Sequence, residues 1–298
     1  MSTTPHPSSA ADANRSSRPR RGALTGGLAA GLLAATAVAL SLAAAAPASA
    51  AVPGLTQVAA VSPVSSVDKN VTVTCPPGRF VIGAGANVIG GGNEVALEQI
   101  SPDVGLRTLT VRASEVDPTP ALWSVRAVAQ CAFAPPGLLR VITTSPTNST
   151  DKTVAATCPA GLRVLGAGYS ISGGRGEVVV NALTPNAALD TVEVQAGEDA
   201  VYAPSWSVSA IALCTGPLPG LSRAVAATVP NSRDKGVVAV CPAGTVAIGA
   251  GAGSTGAFGE IALTEILPGA NTVTEFGAEE DPVPGPWTGN AEAICATP

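Results

Sequence analysis

Three short acidic loops, each followed by a tryptophan, hold the side chains best suited to chemistry. Glu115-Val116-Asp117-Pro118 precedes Trp123, Glu198-Asp199-Ala200-Val201 precedes Trp206, and Glu279-Glu280-Asp281-Pro282 precedes Trp287. Carboxylates beside an indole suit sugar binding, because the ring stacks on the sugar face and the acids accept from its hydroxyls. Trp123, Trp206, Trp287, Glu115, Glu198 and Glu279 are therefore the candidate ligand-binding residues. A cation would also suit such loops, although no calcium-loop spacing is present. Against both stands a plainer expectation, a solvated hairpin loop beside a core anchor, since large aromatics in strands are usually core. That plainer outcome is the one expected here.

Other routes to catalysis are closed or weak. The single histidine is His6 and the single methionine is Met1, both in a segment read below as removed. Mechanisms that need imidazole as base, proton shuttle or metal ligand are then excluded, and paired carboxylates are the acid/base chemistry left. Enzyme sites use one-off residues in distinct roles, whereas the polar residues that stand out here recur three times, so the chain is read as no enzyme, with no catalytic residue and no cofactor. Gly249-Ala250-Gly251-Ala252-Gly253-Ser254-Thr255-Gly256 resembles a phosphate loop only superficially. It lacks the Gly-Lys-Ser/Thr ending and opens no helix, so a bulge or a close backbone approach is expected instead of a nucleotide site.

Six cysteines are left, Cys75, Cys131, Cys158, Cys214, Cys241 and Cys295. No C-x-x-C pair and no helping histidine argue against a metal site, and an even count in an exported chain reads as disulfides. Two pairings respect the spacing. Either Cys75–Cys131, Cys158–Cys214 and Cys241–Cys295 close within units, or bridges step from one unit to the next as Cys131–Cys158, Cys214–Cys241 and Cys75–Cys295. The first is preferred, because each duplicated copy is then self-sufficient.

The units come from an internal period, the first thing to seek in a chain of 298 residues. Pro-Gly-Leu begins at Pro53, Pro136 and Pro219, each 83 residues after the last. Asp68-Lys69, Asp151-Lys152 and Asp234-Lys235 keep the step and contain every lysine of the chain. So do Cys-Pro-x-Gly from Cys75, Cys158 and Cys241, and Gly-Ala-Gly from Gly83, Gly166 and Gly249. Glu94, Glu177 and Glu260 recur likewise, as do Pro102, Pro185 and Pro268. Each tryptophan stands eight residues before the second cysteine of its unit, and the third copy loses two residues between Pro268 and Trp287. Residues 53–135, 136–218 and 219–298 are thus read as three copies of one unit. The kept Asp-Lys pair is expected to be structural, its ammonium paired with a local carboxylate such as Glu94, Glu177 or Glu260.

Periodicity within a unit is that of strands. Trp123, Val125, Ala127, Ala129 and Cys131 alternate with Ser124, Arg126, Val128 and Gln130, so each set lies on one face. Cys-Pro-x-Gly supplies a tight turn, and no helical stripe follows residue 50. The fold class expected is all-β: three tandem β-sandwich-like repeats of about 83 residues, each of about five or six short strands. The alternative is a pseudo-threefold β-prism. Separable modules are favoured, although connectors such as Ala134-Pro135-Pro136-Gly137 are short and stiff.

The first fifty residues read as a leader outside the fold. Arg15, Arg18, Arg20 and Arg21 precede a charge-free Ala/Gly/Leu-rich stretch from Gly22 to Ala46, then Pro47 and Ala48-Ser49-Ala50. These are the three parts of a secretory signal peptide, cleaved near Ala50. Arg20-Arg21 fits a twin-arginine signal poorly, so general secretion is the default. An uncleaved membrane anchor is the competing reading, because the apolar stretch is long enough to span. Cleavage takes four of the 16 basic and one of the 21 acidic side chains, leaving 12 against 20, a net of −8. That acidic balance argues against nucleic acid and anionic membranes as partners.

Cys-Pro-Ala-Gly, a hydrophobic pair and Gly-Ala-Gly, as at Cys158–Gly168 and Cys241–Gly251, resemble a module of secreted proteins in actinobacteria and related bacteria. That module also ends in a Trp-led strand and a Cys, and the resemblance covers nearly all of residues 65–298. It implies an extracellular β module of uncharacterised activity and carries over no catalytic residue. A weaker likeness is to the vitelline membrane outer layer protein, a threefold β-prism whose repeats also carry Cys-Pro-x-Gly; it bears on shape alone. The function expected is that of a secreted, non-catalytic extracellular or cell-surface protein. Its expected partner is an extracellular polysaccharide or the cell envelope, bound multivalently. A purely structural or protective role is the alternative, and a carboxylate-based glycoside hydrolase the third.

Overall fold

The computed structural model describes residues 52–298. The expected leader, residues 1–50, lies outside the described residues. The described chain holds 18 β-strands and no helix. Unit 1 contributes β1 (Thr56–Val61), β2 (Lys69–Thr74), β3 (Phe80–Gly90), β4 (Val95–Pro102), β5 (Thr108–Glu115) and β6 (Trp123–Ala132). Unit 2 contributes β7 (Leu139–Thr144), β8 (Lys152–Thr157), β9 (Arg163–Ser172), β10 (Val178–Pro185), β11 (Thr191–Glu198) and β12 (Ser207–Thr215). Unit 3 contributes β13 (Ser222–Ala227), β14 (Lys235–Val240), β15 (Val246–Thr255), β16 (Ile261–Pro268), β17 (Thr272–Glu279) and β18 (Thr288–Ala296).

The strands pair into three antiparallel six-stranded sheets, ordered β1-β6-β3-β16-β17-β14, β2-β5-β4-β9-β12-β7 and β13-β18-β15-β10-β11-β8. Every unit is split between two sheets, three strands to each, and every sheet joins halves of two units. Unit 1 shares sheets with units 2 and 3, and units 2 and 3 share the last. The arrangement therefore closes on itself about a pseudo-threefold axis. Within a unit the two half-sheets face each other across a corner, which is the sandwich-like part of the expectation. The separability favoured above does not follow, because each half-sheet is completed by a neighbouring unit.

The seams between units are narrow. β4 pairs β9 only through Gln99↔Ser170 and Ile100↔Tyr169, and β10 with β15 and β16 with β3 are equally short. Side chains reinforce them. The buried Tyr169 hydroxyl donates to Leu97 O at 2.7 Å, the Glu98 carboxylate accepts from Gly176 N at 2.9 Å, and Asn181 Oδ1 accepts from Gly259 N at 3.2 Å.

The Gly-Ala-Gly motif makes closure possible. A Cβ on Gly83 would run into the carbonyl of Ile248, one on Gly166 into that of Ile82, and one on Gly249 into that of Leu165. These three contacts form a cycle, so β3, β9 and β15 meet backbone to backbone around the axis. A register shift stands at the same place in each strand, beside Gly83, Gly166 and Gly249. Both a bulge and a close approach are present. The second glycines, Gly85, Gly168 and Gly251, press on the recurring Pro268, Pro102 and Pro185 of the neighbouring unit.

At each corner two sheets are tied by a disulfide. Cys75, after β2, joins Cys131 of β6; Cys158, after β8, joins Cys214 of β12; Cys241, after β14, joins Cys295 of β18. The Cα–Cα separations are 5.7, 5.8 and 5.7 Å. Pairing is within units, as preferred, but each bridge links two different sheets of the prism. The turn after each first cysteine carries a glycine at φ of 81°, 85° or 82° (Gly78, Gly161, Gly244), the left-handed position a tight type II turn requires.

Candidate functional site

At the end of each corner remote from the disulfide, the candidate residues come together in one repeated cluster. Trp123 opens β6 and bridges to Ser65, its N–H donating to Ser65 O at 3.0 Å. Its indole Nε1 donates to Glu115 Oε1, at the end of β5, at 3.1 Å. The Lys69 ammonium, at the start of β2, lies 3.8 Å from the ring centroid. Lys69 also donates to Ser65 O at 3.1 Å and to Val67 O. Asp68 accepts from Glu115 N at 3.2 Å, which holds the glutamate's backbone in place.

Units 2 and 3 repeat this geometry. Trp206 Nε1 donates to Glu198 at 2.8 Å and Trp287 Nε1 to Glu279 at 2.6 Å. Lys152 lies 3.8 Å over the Trp206 ring and Lys235 3.7 Å over that of Trp287. Asp151 and Asp234 accept from Glu198 N and Glu279 N at 3.3 and 2.8 Å. All three indoles are 0% exposed, and the lysines are 6%, 5% and 8% exposed. None of the tryptophans presents a face on which a sugar ring can stack.

The kept Asp-Lys pair is explained by these contacts. An ammonium over an indole is worth about 2 kcal/mol when desolvated, and backbone carbonyls satisfy its protons. Burial lowers the pKa of Lys69, Lys152 and Lys235, opposed by the nearby charges of Glu115, Glu198 and Glu279. The partners expected for the lysines, Glu94, Glu177 and Glu260, lie elsewhere. The carbonyls of Glu94 and Glu177 accept from Val116 N and Asp199 N. Spacing showed that lysine and tryptophan recur together, but the indole face is seen only once β2 and β6 are brought to one corner.

Two acidic groups, the first within the loops already named, have surroundings that sequence reasoning did not anticipate. In the three acidic loops Val116, Asp199 and Glu280 hold matched positions, and the first packs on Ala96, Val179 and Ala262, the matched residues of β4, β10 and β16. Burial and the neighbouring Asp199 push Glu280 up to about 10, so its carboxyl is neutral near pH 7. Asp199 is raised by burial, and Glu260 is raised by burial with Asp199 and Asp281 nearby. The second group is Glu275, fully buried in β17 with neither carboxylate oxygen hydrogen-bonded. Burial pushes it up to about 8. Its matched positions are Val111 and Val194, so alignment of the units marks it as an acid in an apolar slot. Among the described residues no group of three or more His, Cys, Asp or Glu side chains is placed to hold a metal ion. No known family model matches the chain, and no curated protein matches it.

Proposed function

We propose that the chain is an exported, non-catalytic extracellular or cell-surface protein, a rigid scaffold assembled from three copies of a duplicated unit. The observation that carries this reading is the use made of the recurring polar residues. Asp68, Lys69, Glu115 and their counterparts bind one another, an indole or backbone around each corner. Side chains kept three times at the corners are thus used for packing, which suits a scaffold. Three intra-unit disulfides support an oxidising compartment, in keeping with the leader-like first fifty residues. So does the resemblance to a secreted β module.

Between the two non-catalytic roles, the buried indoles favour a structural or protective one over sugar binding at the Trp/Glu loops. The test is expression of the full chain with its own leader in an exporting bacterial host. The expected product is oxidised, lies outside the cytoplasm and starts near Ala51. It releases no reducing ends from a panel of polysaccharides. Full-length chain retained in the cytoplasm with free thiols would contradict export, and polysaccharide cleavage would contradict the non-catalytic reading.

A further inference from the structure

Unit 3 differs from its sisters at a pair of core positions in a way that packing alone does not require. Val111 and Val125 in unit 1, and Val194 and Val208 in unit 2, are all 0% exposed. At the matched positions unit 3 has Glu275 and Gly289. The exchange conserves space: a Cβ on Gly289 would meet Glu275 Oε2 at 2.7 Å and Oε1 at 3.1 Å, so the carboxyl occupies the room left by the missing side chain. Glu275 is 0% exposed, and both its oxygens lack a hydrogen-bond partner. A buried, unpartnered carboxylate is costly as an anion and far less so as a neutral acid.

The groups around it do not offset the charge. From β14, Lys235 attracts it, but that ammonium already donates to Trp287 O at 2.8 Å and to Asn231 O. From β16, Glu265 repels it. β18 offers it the bare Cα of Gly289, and at the end of its own strand Glu279 is engaged by the Trp287 indole.

We propose that Glu275 makes the unit 3 corner a proton-dependent seam, closed while the carboxyl is neutral and loosened between β14, β17 and β18 when it ionises. The direction follows from linkage. A carboxyl raised from its ordinary value to about 8 binds more protons in the closed corner than in the open one. Its stabilising contribution is complete below the ordinary carboxylate range and is lost as pH rises to about 8. Units 1 and 2 have valine there and serve as internal controls.

The test follows reduction of the three disulfides of the full chain by a phosphine at pH 5 to 9, each bridge quantified by differential alkylation and peptide mapping. Taking the rate of Cys241–Cys295 relative to Cys75–Cys131 and Cys158–Cys214 cancels the reagent's own pH dependence. The ratio is expected to rise by up to about tenfold per pH unit as the pH approaches 8, then level off. In Glu275→Gln, and in Glu275→Val with Gly289→Val, which rebuilds the valine pair of the sister corners, the ratio is expected to lose its rise below pH 8, any remainder belonging to Glu280 just beyond β17. A ratio independent of pH in the parent, or one rising equally in both variants, would overturn the proposal.

Discussion

At each corner of the prism one indole gathers a lysine, a glutamate and, through the glutamate's backbone, an aspartate. The ring is held on its face by the ammonium and at its edge by the carboxylate, while the cation and anion partly neutralise each other in a dry setting. Removing the ring leaves a cavity, takes the donor from Glu115 and strips the π face from Lys69, whose protons stay bonded to Ser65 O and Val67 O. Trp123→Ala is therefore expected to cost about 3–5 kcal/mol, and more than an ordinary apolar truncation of similar size; urea unfolding of the oxidised chain measures it. Glu115→Gln keeps an acceptor for Nε1 but removes the charge that opposes Lys69's desolvation, so about 1 kcal/mol is expected. Replacing Glu115, Glu198 and Glu279 together by Gln is expected to leave retention on any polysaccharide column unchanged. Loss of retention without a change in melting temperature would show that the loops bind sugar after all.

The strand patterns in the sequence were readable because each unit alternates so regularly. β2 is buried at Lys69, Val71 and Val73 and exposed between them. β6 departs from simple alternation: Val128 and Gln130, on the face opposite the disulfide, are buried too. The reason is long-range. Gln130 Nε2 reaches Ala247 O and Gly269 O of unit 3 at 3.4 Å, a contact that no local period encodes. The same limit applies to Gly-Ala-Gly. Spacing suggested a bulge or a close approach, yet only the topology reveals that the partner is another unit's copy of the same strand. Gly166→Ala places a methyl against the Ile82 carbonyl and is expected to destabilise the whole chain by about 2–3 kcal/mol, readable as a lower melting temperature. A turn glycine with open space around it, Gly92, serves as the control for side-chain bulk, its φ of 65° adding only a local backbone cost. Non-reducing peptide mapping is expected to recover Cys75–Cys131, Cys158–Cys214 and Cys241–Cys295; a Cys131–Cys158 peptide would contradict the corner assignment.

For the molecule as a whole, the buried acids set the response to pH. Glu275 is pushed up to about 8 and Glu280 to about 10, both chiefly by burial. Raised carboxyl values mean that the folded state holds the extra protons, so this part of the stability is fully present below the ordinary carboxylate range. It falls as pH climbs towards those two values. Thermal melts at constant ionic strength are expected to give a higher midpoint at pH 5 than at pH 9, and Glu280→Gln should reduce the difference. The central claim, however, is closure: the repeating unit of the sequence is not the folding unit, because each of its half-sheets is completed by a neighbour. The most direct measurement is made on the middle unit alone, residues 136–218, produced in an oxidising compartment with its single disulfide. Deprived of β4 and β15, it exposes the strand faces and glycines that should meet at the axis, and it is expected to aggregate or to lack a cooperative unfolding transition. A soluble monomer of 136–218 that melts cooperatively would contradict the closed prism and restore separable modules.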